Sequence, residues 1–306
     1  MNENSTLVAV DWGTTSLRAA RLDAAGRVIE ERTSDRGILS VARSEFPTIF
    51  ESLCGSWMAE DQSLAVVCGM AGSKQGWVEA PYCPCPAGFD EIAEQITWLA
   101  QQHLPGHAHW RIAIVPGLSC EHAHAPDVMR GEEVQILGAM QLLGRSDGLF
   151  VLPGTHSKWA QVEAGRIVTF RTCMTGEIYA LLSQHSILSK SLQADAPLDE
   201  IAFAQGVHLA QGNEGLLHLA FNVRTLSLFS RKSASALTSY LSGLVIGEEL
   251  RAQSLLEGSE VTLVGSDALT TRYALALSQK GVRTQQLGAQ ATWAGLHALA
   301  LTLPDT

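Results

Sequence analysis

The chain has 306 residues, 46% apolar and 17% charged, with 10 prolines, a composition that folds and leaves no room for a long disordered tail. Its length suits two domains of about 150 residues each. A net charge of -10 without any Lys/Arg-rich run lacks the electrostatic footprint of a nucleic-acid binder, and no apolar run reaches the length of a membrane span.

The first ten residues carry no basic segment followed by an apolar stretch, and the six cysteines are scattered. A cytoplasmic protein with reduced thiols is therefore expected. The oligomeric state is open, a homo-oligomer included.

In chain order, the opening reads as strands over 7–11, 16–22 and 28–33, joined by tight turns at Gly13-Thr14-Thr15 and Asp23-Ala24-Ala25-Gly26. A strand over 64–68 runs into the glycine-punctuated loop CGMAGS. Asp90 reads as the N-cap of an amphipathic helix reaching about residue 103, with Ile92, Ile96 and Leu99 at helical spacing. A strand over 111–115, a loop through PGLSCEHAHAPDVMRG and a helix over about 132–143 follow.

At Leu149 the pattern restarts: LFVLPGTHSKWAQVEAGRIVTFRT again spells strand, tight turn, strand, glycine turn, strand. Two such meanders point to internal duplication. The Gly-rich stretch 144–148 marks the boundary, giving an N-terminal lobe over 1–144 and a C-terminal lobe over 145–306. Helices are expected over about 176–188, 198–211 and 235–256, then strand, glycine turn and helix in VTLVGSDALTTRYALAL, a short strand near Val282 and a last helix from about Ala289.

Three loops carry chemistry. DWGTTS sets Asp11 at the end of a buried strand, followed by Gly13, Thr14, Thr15 and Ser16. Small residues there let backbone N–H groups and hydroxyls approach a phosphate, and the Asp11 carboxylate suits Mg²⁺ held through water. An ordinary hairpin with a polar turn reads the same way. LPGTHSKWA repeats the design with Gly154, Thr155, His156, Ser157 and Lys158. It lacks the frame of a Walker P-loop, so Lys158 is either a phosphate contact or a solvated charge. VGSDALTTRY puts Gly265 and Ser266 between a strand and a helix, where an adenosine can lie against the backbone.

Neither Cys83 and Cys85, set between prolines, nor the histidines at 103, 107, 109, 122 and 124 have the spacing of a metal site.

The order of these parts resembles the ATPase superfamily of sugar kinases, hexokinase, actin and the heat-shock chaperone ATPases. The strings DWGTTSLRA, GMAGSKQGWVEAPY, MRGEEVQILG, LPGTHSKWA and YLSGLVIGEEL further resemble the 2-dehydro-3-deoxygalactonokinase family across nearly the whole chain. The resemblance implies an α/β protein with a two-lobed ribonuclease H-like (actin-like ATPase) fold. Each lobe would be a mixed sheet with flanking helices, and an ATP cleft would lie between them. It also implies transfer of a phosphoryl group from ATP, with Mg²⁺, to O6 of 2-dehydro-3-deoxy-D-galactonate in galactonate breakdown.

Phosphoryl transfer needs one group to accept the hydroxyl proton. MRGEEVQ offers Glu132 and Glu133 in a first helical turn, where a carboxylate also simply complements the dipole. Its resemblance to the G-x-E-E segment of exopolyphosphatases favours Glu132. Arg130 beside it, or Arg18 past the first turn, can pair a phosphate or the substrate carboxylate, and Arg18 reads equally as a structural residue. The loop with Gly72, Ser73, Lys74, Gln75 and Trp77 is the expected sugar-acid site, unless Trp77 only anchors it to the core. The competing functions are a phosphohydrolase of the exopolyphosphatase type, which needs no adenosine loop, and a nucleotide-gated binding or filament protein.

Overall fold

The computed structural model describes residues 6–59, 64–104, 106–107 and 109–304. Their contacts divide into two units: the first takes the described residues of 1–148, 160–171 and 289–306, the second those of 149–159 and 172–288.

The first unit opens with β1 (Leu7–Trp12), β2 (Leu17–Leu22) and β3 (Val28–Ser34), then α1 (Phe46–Cys54), β4 (Leu64–Gly69) and β5 (Tyr82–Pro84). It continues through α2 (Phe89–Glu94), β6 (Thr97–Trp98), β7 (Arg111–Ile114), β8 (Gly117–Cys120), β9 (Asp127–Met129) and α3 (Glu132–Leu143). The next strands are β10 (Gly148–Leu152), β11 (Ser157–Glu163) and β12 (Arg166–Cys173). Then come α4 (Thr175–Ala180), α5 (Glu200–Ala210), α6 (Leu216–Leu228), α7 (Ala234–Arg251), β13 (Glu260–Val264), α8 (Asp267–Ser278), β14 (Arg283–Leu287) and α9 (Gln290–Thr302).

One sheet has the order β3-β2-β1-β4-β7-β6, the other β12-β11-β10-β13-β14. Each lays a three-stranded meander beside two parallel strands, β4 and β7 in the first, β13 and β14 in the second. The duplication read from the two meanders thus extends to the whole sheet. Parallel central strands are covered on both faces, and β1 and β4 accordingly read as apolar runs, LVAVDW and LAVVCG.

The sequence reading of helices and loops needs five corrections. The helix starting near Asp90 ends at Glu94, and Gly88 caps it; the Glu91 carboxylate accepts from Gly88 N, after which Thr97–Trp98 pairs antiparallel with β7. The stretch 116–131 is not all loop: β8 and β9 join β5 in a third sheet, order β5-β8-β9. The helix expected over 176–188 breaks after Ala180 into a π-turn, because Ser186 is extended and its hydroxyl both donates to Leu182 O and accepts from Leu188 N. The helix expected to reach 256 stops at Arg251, and α1 and α6 answer to no predicted helix.

In the first unit, Trp12, Phe46, Phe50 and Trp77 form an aromatic core on the inner face of the sheet. Residues 160–171 group here because Ala87 bridges Ile167, Arg166 pairs with Glu91 and His122 bonds Phe170 O. The last helix, α9, crosses α3 at Gly138 and Gly295, where a Cβ would fall 1.8 Å from Ala291 O and 2.1 Å from Val134 O respectively. Only glycine permits that approach. The second unit has its own core on Phe203, Val207, Leu263 and Tyr273. Among the described residues no helix is long and apolar enough to cross a membrane.

Candidate active site

In the first unit three segments meet at the ends of β1 and β4. Asp11, the penultimate residue of β1, faces Arg18 across the β1–β2 ladder, and carboxylate and guanidinium form an ion pair. The Asp11 side chain is 14% exposed, open enough to be reached. Gly69, which ends β4, lies against it: a Cβ there would be 3.3 Å from Asp11 Oδ1. Gly131, just before α3, packs on Gly69 in turn, its Cβ position 3.1 Å from Gly69 Cα. Both glycines have positive φ, 84° and 106°, so the juncture depends on residues without side chains. The start of α3 thereby comes beside the end of β1.

The turn after Asp11 is built as an open cradle. Gly13 N donates to Ser16 O at 2.8 Å, while Ile38 N and Leu39 N donate to Gly13 O and Thr14 O, which pins the turn from outside. Thr14, Thr15 and Ser16 stay exposed.

The two glutamates differ sharply. Glu132 is half-buried, with Oε2 accepting from Arg130 N at 3.0 Å. Glu133 is fully buried, both its oxygens accept from Gly131 N, and burial, then the charge of Glu132, pushes its pKa up to about 8. Glu133 stiffens the juncture; Glu132 retains access. Cys68, buried behind Asp11 and Glu133, has its thiol pushed well above the usual range by burial first and then by those charges.

Arg130 is 9% exposed and unusually placed. Its Nη2 donates to Ala80 O at 2.8 Å and its plane lies 4.4 Å from the Tyr82 ring centroid, while Nε and Nη1 have no hydrogen-bond partner. Gly72 makes room for it: a Cβ there would lie 2.8 Å from Nη1. The adjacent Ser73 hydroxyl is also buried and unpartnered. Of the expected sugar-acid loop, Lys74 and Gln75 are exposed, whereas Trp77 is 2% exposed and sits among Trp12, Phe46 and Phe50 in the core.

In the second unit the Gly154–Lys158 loop follows β10. Thr155 and His156 are exposed, the His156 ring meeting Glu177 at 2.5 Å. Ser157 and Lys158 turn inward: Ser157 is fully buried, and Lys158 Nζ donates to His156 O at 2.9 Å. Gly265, which ends the neighbouring strand's run, lies beside the same loop, its Cβ position 3.6 Å from Pro153 O. Ser266 begins α8 exposed. Thr175 and Gly176 close in from α4, with the Gly176 Cβ position 2.5 Å from Gly154 O.

Of these residues Gly154, Thr175 and Gly176 line a cavity of about 140 Å³, walled further by Tyr179, Leu269 and Arg272. Its wall is mainly apolar and aromatic, with one guanidinium, that of Arg272. Sequence reading missed Thr175, Tyr179, Arg272 and the buried Glu249 behind them. Glu249 had a signal, an acid embedded in the apolar string YLSGLVIGEEL; the others lie on helices with ordinary patterns.

A family model described as 2-keto-3-deoxy-galactonokinase matches residues 11–299. The chain belongs to this kinase family. Within it, the 2-dehydro-3-deoxygalactonokinase of Escherichia coli (strain K12) is 34% identical, over 96% of this chain and 97% of its own. A candidate 2-dehydro-3-deoxygalactonokinase of Rhizobium meliloti (strain 1021) is 38% identical, over 95% of each. The solved structure of a candidate 2-dehydro-3-deoxygalactonokinase from Sinorhizobium meliloti matches with a TM-score of 0.88 at 36% identity, covering 98% of this chain and 97% of that one. These relatives carry kinase names, not phosphohydrolase names. The α/β architecture of this kinase family, mixed sheets flanked by helices, is the ribonuclease H-like (actin-like ATPase) fold.

Proposed function

We propose that this family member is an ATP-dependent kinase that phosphorylates 2-dehydro-3-deoxy-D-galactonate on O6 to give 2-dehydro-3-deoxy-6-phosphogalactonate, a cytoplasmic step of galactonate breakdown. The observation that carries the reading is the convergence, through Gly69 and Gly131, of the end of β1 at Asp11 with the start of α3, where Glu132 is half-buried. Such a pair supplies a charge-handling carboxylate and a proton acceptor at one juncture, the two protein roles phosphoryl transfer requires.

In this scheme Glu132 accepts the proton of the O6 hydroxyl, and the Arg130 N–H on its Oε2 fixes the carboxylate for that task. Glu133 is not the base, because no part of it reaches the surface. The turn from Gly13 to Ser16 donates to a phosphate, as do Gly154, Thr155 and His156 in the C-terminal lobe, with Ser157 and Lys158 holding that loop from within. Gly265 and Ser266 border the adenosine. Gly72, Ser73 and Gln75 bind the sugar acid, and Arg130 offers its unpartnered edge toward the substrate side. Arg18 keeps Asp11 oriented.

Mg²⁺ fits this arrangement as an ion carried by the nucleotide. Among the described residues no three His, Cys, Asp or Glu gather as a metal cage, and a single carboxylate with water suits a cation that keeps much of its shell. Asp11 would hold it through water, and it would neutralise charge on the polyphosphate.

The decisive experiment follows ADP release by purified protein given ATP, Mg²⁺ and 2-dehydro-3-deoxy-D-galactonate, with mass spectrometry of the product. ADP release that depends on the sugar acid and yields a monophosphorylated product is expected. Equal phosphate release without the acceptor would replace the kinase by a phosphohydrolase.

A further inference from the structure

Glu249 lies on α7, 5% exposed, and receives hydrogen bonds from four side chains on three segments of the second unit, β11, α4 and α8. Its Oε1 accepts from Ser157 Oγ at 2.9 Å and from Trp159 Nε1 at 2.5 Å; its Oε2 accepts from Tyr273 OH at 2.5 Å and from Thr175 Oγ1. Ser157 and Tyr273 also meet each other at 2.9 Å. All four side chains are themselves buried. The four donors are neutral side chains, and together they occupy both oxygens of the carboxylate. Burial and the Glu249 charge hold the Tyr273 phenol well above its usual pKa, keeping it a donor.

The donors are distributed in a telling way. Ser157 opens β11, directly after the turn that begins at Gly154; Thr175 opens α4; Tyr273 lies on α8, which Ser266 precedes. Gly154, Thr175 and Tyr273 all line the cavity, yet Glu249 does not. One carboxylate therefore fastens three walls of the cavity from behind.

We infer that Glu249 is a positioning residue for nucleotide binding, fixing the Gly154 loop, the start of α4 and α8 in one mutual geometry without touching the ligand. This rests on the reading of that cavity and its loops as the nucleotide site. A glutamine cannot replace the acid: with its amide nitrogen toward Trp159 it sets donor against donor, and turned the other way it loses an acceptor for Thr175 and Tyr273.

The test is calorimetric titration of the purified full chain with ADP, beside thermal melts and sugar-acid KM. Glu249→Gln is expected to weaken ADP about tenfold, the effect of losing one charge-assisted hydrogen bond's worth of order, with sugar-acid KM within about twofold of wild type. Leu237→Ala, which cuts the fully buried core of the same helix, is expected to lower Tm by as much while leaving the ADP Kd unchanged. ADP affinity unaltered in Glu249→Gln, or lost equally in Leu237→Ala, overturns the inference. Should Glu249→Gln fail to fold, Trp159→Phe removes one donor outside the cavity wall. It is expected to weaken ADP about threefold, and an unchanged Kd there overturns the inference too. A wild-type protein that turns over with ATP but gains nothing from these comparisons separates this failure from that of the kinase reading, which shows as no ATP-dependent transfer at all.

Discussion

Asp11 and Arg18 occupy directly opposed positions on β1 and β2 and close an ion pair at the mouth of the first unit's sheet. The pair is half open to solvent on the Arg18 side, 34% exposed, so its worth to stability is small, on the order of 1 kcal/mol or less. Its meaning is orientation: the guanidinium holds one carboxylate oxygen, and the other faces Gly69.

Asp11→Asn is therefore expected to keep the fold, with Tm within a few degrees of wild type, and to lower kcat by about 10²–10³, the usual effect of removing a charge that acts in the transition state. Steady-state kinetics beside a thermal melt checks it. A kcat within threefold of wild type would relieve Asp11 of any role in transfer.

Glu132 and Glu133 should part company. Glu132→Gln is expected to cut kcat by about 10²–10⁴ while ADP still binds; Glu133→Gln, close in shape to a protonated acid, should remain active at pH 7. The pH dependence follows from the raised pKa. The folded protein holds the Glu133 proton up to about 8 against an ordinary value of 4.5, so the group's contribution to stability is complete below 4.5 and is lost as pH rises toward about 8. Wild-type Tm should thus decline across that window more than the Tm of Glu133→Gln. Parallel Tm profiles would show that Glu133 does not titrate there.

Trp77 stacks within the core, with ring centroids 5.5–6.1 Å from Phe50, Trp12 and Phe46. Trp77→Ala should cost about 3–5 kcal/mol by opening a cavity. Trp77→Phe should cost far less, about 1 kcal/mol, because the indole Nε1 has no partner to lose. The sugar-acid KM of Trp77→Phe should stay near wild type. A tenfold KM rise with unchanged Tm would bring the ring into the substrate site.

Much of this protein was legible in its sequence. The apolar runs and small-residue turns of LVAVDWGTTSLRAARL, echoed in LFVLPGTHSKWAQV, predict both meanders, since a short apolar run and a tight turn are local properties. The loops DWGTTS, PGTHSK and VGSDAL stand out for the same reason: glycine and hydroxyl residues between apolar runs have few other uses.

Tertiary structure decided the rest. Thr97–Trp98 became a strand because β7 offered it an edge, although Ile92, Ile96 and Leu99 have a helical period. Ser157, by its neighbours a phosphate contact, turned inward once α7 brought Glu249 within reach, 92 residues along the chain. Glu132 and Glu133 are chemically identical and adjacent, and only tertiary packing around the start of α3 buried one and left the other half-buried. Local sequence sets what a segment can become; which side chains meet, and which meet water, depends on contacts distant in the chain.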